Sequence, residues 1–253
     1  MHIMLVNDDG VHAPGIRAMA DALIAAGHEV SVCAPDRERS AASHAITLRN
    51  ALHAGKVEFP GAKVAYAVDG LPADCARLGL YLIPDVDLVI SGINAGANMG
   101  AACIYSGTVG AATEASMSGT PALAVSLCGF DGWDFGPAAK IAVKVAEWAA
   151  EHPLPRGSVY NLNVPKRPLE EILGVRAATM AQTYHDSPAY NEIETENGVE
   201  YTYKHGVDAI ELTDPDSDVL LTRAGYATLT KVWWNLRMEG EDPDVSGIRI
   251  REE

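Results

Sequence analysis

Apolar positions along the first 165 residues follow two spacings, one suited to strands and one to helices. The run Ile3 to Val6 is continuous and breaks at Asn7-Asp8-Asp9-Gly10, so it reads as a strand ending in an acidic turn. From Gly15 to Ala26 the apolar residues Ile16, Met19, Ala20, Leu23 and Ile24 recur at the helical period, and Gly27 stops them. Glu29 to Ala34 is a second strand, feeding the polar loop Pro35 to Ser40, so the opening is a βαβ unit. Residues 41–70 mix two short β-like runs, Ala45 to Leu48 and Val64 to Val68, with turn signals at Gly55, Pro60-Gly61 and Asp69-Gly70, the pattern of hairpins. Pro72-Ala73-Asp74 opens a helix to about Tyr81, with the proline in its first turn and Asp74 facing its positive end, and Pro84 ends it.

The same alternation continues. Val86 to Ser91 is a nearly continuous apolar strand, as in a sheet covered on both faces, and it runs into the glycine-rich loop Gly92 to Gly100. Tyr105-Ser106-Gly107-Thr108 leads into a helix of small residues, Val109 to Met117. A strand at Ala122 to Leu127, an amphipathic helix at Gly136 to Glu151 and a strand at Ser158 to Val164 follow. The fold class is therefore α/β with a mostly parallel sheet. In such sheets ligands bind beyond the carboxyl ends of the strands. The four polar loops at 7–10, 36–40, 92–98 and 105–108 are expected to meet there.

After Gln182 the character changes. Between Asp186 and Asp218 there are ten acidic residues against the single Lys204, the composition of a solvated loop or hairpin. Gly225 to Thr230 reads as a last strand, followed by Lys231 to Leu236. Adjacent residues of a strand face opposite ways, so Trp233 and Trp234 cannot share one side. They are expected to clamp the C-terminal segment onto the core, with a subunit contact as the alternative. The chain thus reads as one domain overall, a core at 1–180 with a hairpin and C-terminal arm at 181–253 packed on it.

Composition narrows the partners. With 19 basic and 34 acidic residues, the formal charge of -15 repels a nucleic-acid backbone, whose binding relies on clustered Lys and Arg. A small phosphorylated ligand is compatible, because a cation or a helix N-terminus supplies local positive potential. No apolar run approaches the ~20 residues that cross a bilayer. The first strand begins at residue 3 without a leader pattern, so a cytoplasmic location is expected. Cys33, Cys75, Cys103 and Cys128 form no CxxC pair and read as buried, reduced thiols.

The chemistry sits in the loops. Asp8 and Asp9 converge on one point only if the chain leaves the strand there, which Gly10 permits. Two carboxylates about 4 Å apart repel by roughly 4 kcal/mol at an effective dielectric of 20, a penalty that a divalent cation reverses. Ser40 and Asn94, each just past a strand end, offer a hydroxyl and an amide oxygen. Such an all-oxygen set suits Mg²⁺ or Mn²⁺ rather than zinc. Ser106, Gly107 and Thr108 at a helix start, with Asn98 nearby, offer hydroxyls and backbone N–H groups to a phosphate. Taken singly, each has a plain structural reading as a turn or cap residue. His12 and His44 lie in or near these loops and are given no role.

The segments VNDDGVHAPGI (6–16), APDRERS (34–40), SGINAGANMG (91–100) and YSGTV (105–109) resemble those of the SurE family, the survival-protein-E nucleotidases, and DGLPADC (69–75) is similar to the family's corresponding segment. The motifs cover about the first 130 residues, in order. Beyond them, Thr230 is followed by Lys231-Val-Trp-Trp where family members tend to carry a Thr-Pro-Leu-like segment. The resemblance implies a Rossmann-like three-layer α/β/α core. It also implies a phosphomonoesterase that hydrolyses nucleoside 5′- and 3′-monophosphates with one divalent cation per subunit. Asp8, Asp9, Ser40 and Asn94 match the family's metal positions, and Asn98, Ser106, Gly107 and Thr108 those around the phosphate. Subunits would pair as a homodimer or homotetramer with exchanged C-terminal segments.

For the reaction, Asp8 or Asp9 is expected to accept the proton of an attacking water, with a phospho-aspartyl intermediate as the competing route. The alternative function is a non-hydrolytic nucleotide- or sugar-nucleotide-binding protein. Against its dinucleotide form, Asn7 to Gly10 occupies the turn where a GxGxxG cradle is needed.

Overall fold

Alternation along the first strand decides the layering. The computed structural model describes residues 1–129, 132, 134–182, 190–203 and 212–234. In β1 (His2–Val6) every side chain is buried; Ile3 and Leu5 join one hydrophobic core, Met4 and Val6 the other. The sheet therefore has a helix layer on each face. The first core takes Ile16, Met19 and Leu23 from α1 (Pro14–Ala25). β2 (Glu29–Pro35), β3 (Ala54–Lys56) and β4 (Ala65–Val68) follow. The second core takes Cys75 and Ala76 from α2 (Pro72–Leu82). Beyond β5 (Leu88–Ala95), helix α3 (Gly107–Met117) is buried at every residue from Gly107 to Ser116, as its small side chains allow, and adds Val109, Ala112 and Ala115 to that second core. After β6 (Ala122–Cys128), α4 (Gly136–Glu151) returns to the first face.

β7 (Ser158–Pro165), β8 (Val175–Ala177), the hairpin β9 (Tyr190–Thr195) and β10 (Gly198–Tyr203), α5 (Asp218–Ala224) and β11 (Ala227–Trp233) complete the described elements. The main sheet runs β3-β4-β2-β1-β5-β6-β7-β11-β8. From β4 to β7 all neighbours are parallel; β3 lies antiparallel to β4, and β11 antiparallel to β7. The chain leaves β1 toward β2 and β4, then returns through α2 to β5 on the other side of β1. The switch point, where an open α/β sheet leaves a crevice, thus lies between the carboxyl ends of β1 and β5.

The α/β class and the mostly parallel sheet agree with the hydrophobic pattern. Three details differ. Ala45 to Leu48 is not a strand, because the backbone N–H of Thr47 is taken by the Asp74 carboxylate rather than by a neighbouring strand. The strand expected to end at Ser91 runs on to Ala95, with a register shift against β6 between Ser91 and Asn94. The seven-residue α5 was hidden in an acidic stretch too short for a periodic signal. Strand β11, in the region read as an arm packed on the core, is hydrogen-bonded to β7 and forms part of the main sheet.

The tryptophans are also less enclosed than expected. Trp233 and Trp234 are 61% and 48% exposed, and the indole of Trp234 lies over Gly157. Leu236 and the rest of the arm beyond residue 234, with Asp186, Asp208 and Glu211 of the acidic run, lie outside the described residues. Cys33, Cys75 and Cys103 are buried and Cys128 half-buried, all as free thiols. Among the described residues no helix is long and apolar enough to cross a membrane.

Candidate metal and phosphate site

The turn after β1 is built by Asn7. Its side-chain amide donates to Gly10 O at 2.9 Å, and its Oδ1 accepts from Gly10 N at 3.2 Å. Gly10 holds φ 103°, the left-handed backbone that glycine tolerates. The turn is laced to the next loop, with Arg39 N donating to Asp8 O at 2.7 Å and Val11 N to Pro35 O at 2.8 Å. Both carboxylates therefore stand at fixed positions beyond β1.

Asp8 is 5% exposed and bonded twice by one residue. The Thr108 hydroxyl donates to its Oδ1 at 2.6 Å and the Thr108 backbone N–H to its Oδ2 at 3.2 Å. Burial pushes the Asp8 carboxyl above the usual range, and the two Thr108 bonds oppose that rise. Asp9 is half-buried and accepts from Ala95 N at 3.2 Å. Its carboxyl is pushed up to about 6, first by burial and then by the neighbouring Asp8 charge. Glu38 adds repulsion to both.

A cleft of about 790 Å³ opens in front of them, and Asp8, Asp9, Ser40, Asn94, Asn98 and Ser106 all line it. The four loops expected to converge do so. Ser40 is exposed, and its hydroxyl donates to Glu38 Oε1 at 2.7 Å, leaving oxygen lone pairs for a ligand. Asn94 donates through Nδ2 to Gly96 O at 2.9 Å, so its amide oxygen is the atom left for a cation. Ser106 caps α3: its Oγ accepts from Val109 N at 3.1 Å, which leaves the hydroxyl proton to be donated elsewhere.

Gly107 and Thr108 sit behind Asp8 rather than in the cleft wall. A Cβ on Gly107 would lie 3.0 Å from Asp8 Cβ and 2.9 Å from the Pro72 ring, so the glycine makes room for the carboxylate. Thr108, fully buried, spends its hydroxyl on Asp8. The phosphate role expected of the pair rests on hydroxyl and backbone N–H groups, and of these the Thr108 hydroxyl and N–H both go to Asp8.

Asn98 stands on a buried polar network. Its backbone N–H donates to Asn163 Oδ1 at 2.8 Å, and its carbonyl accepts from Asn163 Nδ2 at 2.9 Å and from Asn161 Nδ2 at 2.8 Å. Its own Nδ2 meets Ser126 Oγ at 2.8 Å. A hydroxyl accepts or donates, so Ser126 supports either orientation of the Asn98 amide. Sequence reasoning missed Asn161, Asn163, Ser126 and Glu38. The signal for the two asparagines was available: they alternate at period two on an otherwise apolar strand, which puts both on one buried face. Glu38, two residues before Ser40, had no pattern to mark it.

An open α/β sheet whose switch-point crevice gathers paired carboxylates, neutral oxygen donors and a capped helix N-terminus defines a class: an α/β protein with a polar ligand cleft at the carboxyl ends of its strands. A family model described as survival protein SurE matches residues 3–187. A protein named 5'-nucleotidase SurE from Gloeobacter violaceus is 41% identical over 244 residues, covering 94% of this chain and 92% of the relative. One of the same name from a Synechococcus species is 42% identical over 236 residues, covering 91% and 90%. The crystal structure of SurE from Aquifex aeolicus matches with a TM-score of 0.78 at 32% identity, over 94% of this chain and 95% of that one. The chain belongs to the SurE family.

Proposed function

We infer that this protein is a nucleotidase, a phosphomonoesterase that hydrolyses nucleoside 5′-monophosphates to nucleoside and phosphate, with 3′-monophosphates as further substrates. The observation that carries this reading is that paired, desolvated carboxylates and the Ser106 hydroxyl line one cleft. Relatives named 5'-nucleotidase share about two-fifths of their residues with this chain over nearly its whole length.

The donor set fits a divalent cation. Asp8 and Asp9 are raised by burial and Asp9 by its neighbour's charge, the state a cation relieves, and Ser40 and Asn94 add neutral oxygens. Among the described residues there is no His, Cys, Asp and Glu cluster of three or more to favour a softer metal. Asp8, Asp9, Ser40 and Asn94 would hold Mg²⁺ or Mn²⁺, one per subunit. When bound, such a cation supplies charge neutralisation and a water of lowered pKa.

The remaining steps belong to the chain. Thr108 holds both Asp8 oxygens, which keeps that carboxylate fixed as a ligand. Asp9, the more exposed of the two, accepts the proton of the attacking water. Ser106 donates its free hydroxyl proton to a phosphate oxygen, at the positive end of the eleven-residue α3. Asn98 Nδ2, which donates one of its two N–H groups to Ser126 Oγ, has the other to donate as a second hydrogen bond. Direct water attack is preferred to a phospho-aspartyl route because each Asp8 oxygen accepts a hydrogen bond from Thr108, which lowers its nucleophilicity while leaving a lone pair for the cation. Rapid-quench labelling that traps phosphate on Asp8 would reverse that choice.

A non-hydrolytic nucleotide-binding role is not favoured, since the relatives carry an enzyme's name and the cleft holds a proton acceptor. Four free thiols suit the reducing cytoplasm. The hairpin β9–β10 exposes Tyr190, Ile193, Val199 and Tyr201, apolar surface suited to burial in a homodimer or homotetramer with exchanged C-terminal segments.

The test is phosphate release from AMP, GMP and an aryl phosphate after EDTA treatment and after Mn²⁺ or Mg²⁺ is restored. Activity is expected to vanish with the chelator and return with the cation. Turnover indifferent to EDTA would overturn the metal-dependent reading.

A further inference from the structure

Of the buried carboxylates that take no part in the chemistry above, two hold the chain just beyond Ser40. Asp74, in the DGLPADC segment, is 4% exposed, and Glu114 on α3 is 8% exposed. Acidic side chains are seldom buried unless paired, so each is explained by what it binds. Asp74 Oδ1 accepts from Thr47 N at 2.9 Å; its Oδ2 accepts from the Thr47 hydroxyl at 2.7 Å and from Leu71 N at 2.9 Å. Glu114 Oε2 lies 2.9 Å from His44 Nε2, and its Oε1 lies 3.6 Å from Arg77 Nη1. Asp69, at the other end of the same segment, accepts from His53 N at 2.7 Å.

All three carboxylates grip one stretch of chain, residues 41–53, which joins Ser40 to β3 and forms neither helix nor strand. Its near end is tied across to the phosphate side of the cleft. Ser43 N donates to Tyr105 O at 3.0 Å and the Ser43 hydroxyl to Ile104 O at 2.6 Å. Helix α3 meets it at Gly110, where a Cβ would lie 2.5 Å from Ser43 O. Ala41 and Ser43 both hold φ 55°, a left-handed backbone that non-glycine residues keep only where surrounding contacts impose it.

We propose that Asp74 and Glu114 are positioning residues, forming a clasp on segment 41–53 that fixes the separation between Ser40, on the cation side of the cleft, and Ser106, on its phosphate side. This rests on the reading of Ser40 as a cation ligand. Loosening the clasp reduces the fraction of molecules with Ser40 in reach of the cation, and apparent affinity falls by that fraction. The chemical groups themselves stay intact. The signature is therefore weaker cation and substrate binding with little change in kcat at saturation.

The experiment uses the whole chain with Thr47→Ala, Thr47→Ser and Glu114→Gln. Mn²⁺ affinity is measured calorimetrically without substrate, and KM and kcat for AMP at saturating Mn²⁺. Thr47→Ala is expected to weaken Mn²⁺ binding about tenfold, the scale of one hydrogen bond to a charged acceptor, and to raise KM while kcat changes less than about twofold. Thr47→Ser is expected to restore both, and Glu114→Gln to behave like Thr47→Ala. Unchanged Mn²⁺ affinity and KM in Thr47→Ala, with only a lower urea midpoint, means that the contacts serve the fold alone and overturns the proposal. A parent chain that releases no phosphate, but whose Mn²⁺ affinity still falls in Thr47→Ala, overturns the nucleotidase reading and supports the clasp.

Discussion

At the scale of single residues, the site depends on how few oxygens are left uncommitted. Thr108 bonds both Asp8 oxygens, so removing its hydroxyl leaves the backbone N–H bond to Oδ2 and loosens the carboxylate without touching the cleft wall. Thr108→Val is expected to lower kcat/KM by about 10- to 100-fold, the usual cost of losing a partner that orients a metal ligand. Asp8→Asn removes the ligand charge itself and is expected to cost at least about 100-fold, since a cation contributes several kcal/mol to such a reaction. Steady-state kinetics on AMP with Mn²⁺ checks both. Asp9 governs the pH response. Its folded value of about 6 lies above the ordinary 3.8, so without a cation the folded chain binds the proton more tightly than the unfolded chain. That contribution to stability is complete below about pH 4 and is lost as pH rises through about 6. A cation competes with the proton for the same carboxylate. Mn²⁺ affinity is expected to fall as pH drops below about 6, and the rise in Tm on adding Mn²⁺ to be larger at about pH 7.5 than at about pH 5. Calorimetric titration and thermal melts across that range test it.

At the scale of elements, close approaches of backbone place the loops. The start of α1 lies so near the end of β5 that a Cβ on Gly15 would sit 2.0 Å from Ile93 O. Neither atom belongs to a flexible side chain, so the strain of Gly15→Ala has to be taken up by a shift of the helix or the strand. The substitution is expected to destabilise the protein by about 1–3 kcal/mol, the usual range for overpacking, measured by urea denaturation. The same reasoning accounts for the bulge in β5. Gly92 holds φ 130°, and a Cβ there would meet Val125 O at 2.3 Å. Its register shift carries Asn94 to the cleft. The helices were readable because periodicity and proline punctuation mark them; α4 runs from Gly136 to Glu151 as its amphipathic pattern indicates. The 45–48 run was misread because a short apolar stretch is ambiguous when distant carboxylates supply its hydrogen bonds.

At the scale of the whole molecule, the sheet order matters more than any one loop. Placing β5 beside β1 brings a loop at residue 94 to one at residue 8, and α3 follows from the same edge. The hairpin β9–β10 stands apart as its own two-stranded sheet with exposed residues on both strands. If subunits pair through it, deleting residues 190–203 is expected to leave protomers of one-chain mass by light scattering, with the fold of the nine-stranded sheet intact by circular dichroism. An unchanged oligomer after the deletion sinks that role for the hairpin.

The sequence by itself determined the order of the parallel strands and of the longer helices, the polar loops beyond them, and the residue types of a candidate cation site, because periodicity, turn chemistry and ligand chemistry are all local. Asp8, Asp9, Ser40, Asn94, Asn98 and Ser106 were found that way, and all line the cleft. Only the tertiary structure decided which of the neighbouring residues line the cleft. Thr108 and Gly107 lie in the same loop as Ser106 but turn toward Asp8, and Asn161 and Asn163, more than sixty residues from Asn98, hold its backbone. Such pairings depend on packing across the sheet, where burial leaves each polar atom to find its partner from whatever element lies beside it.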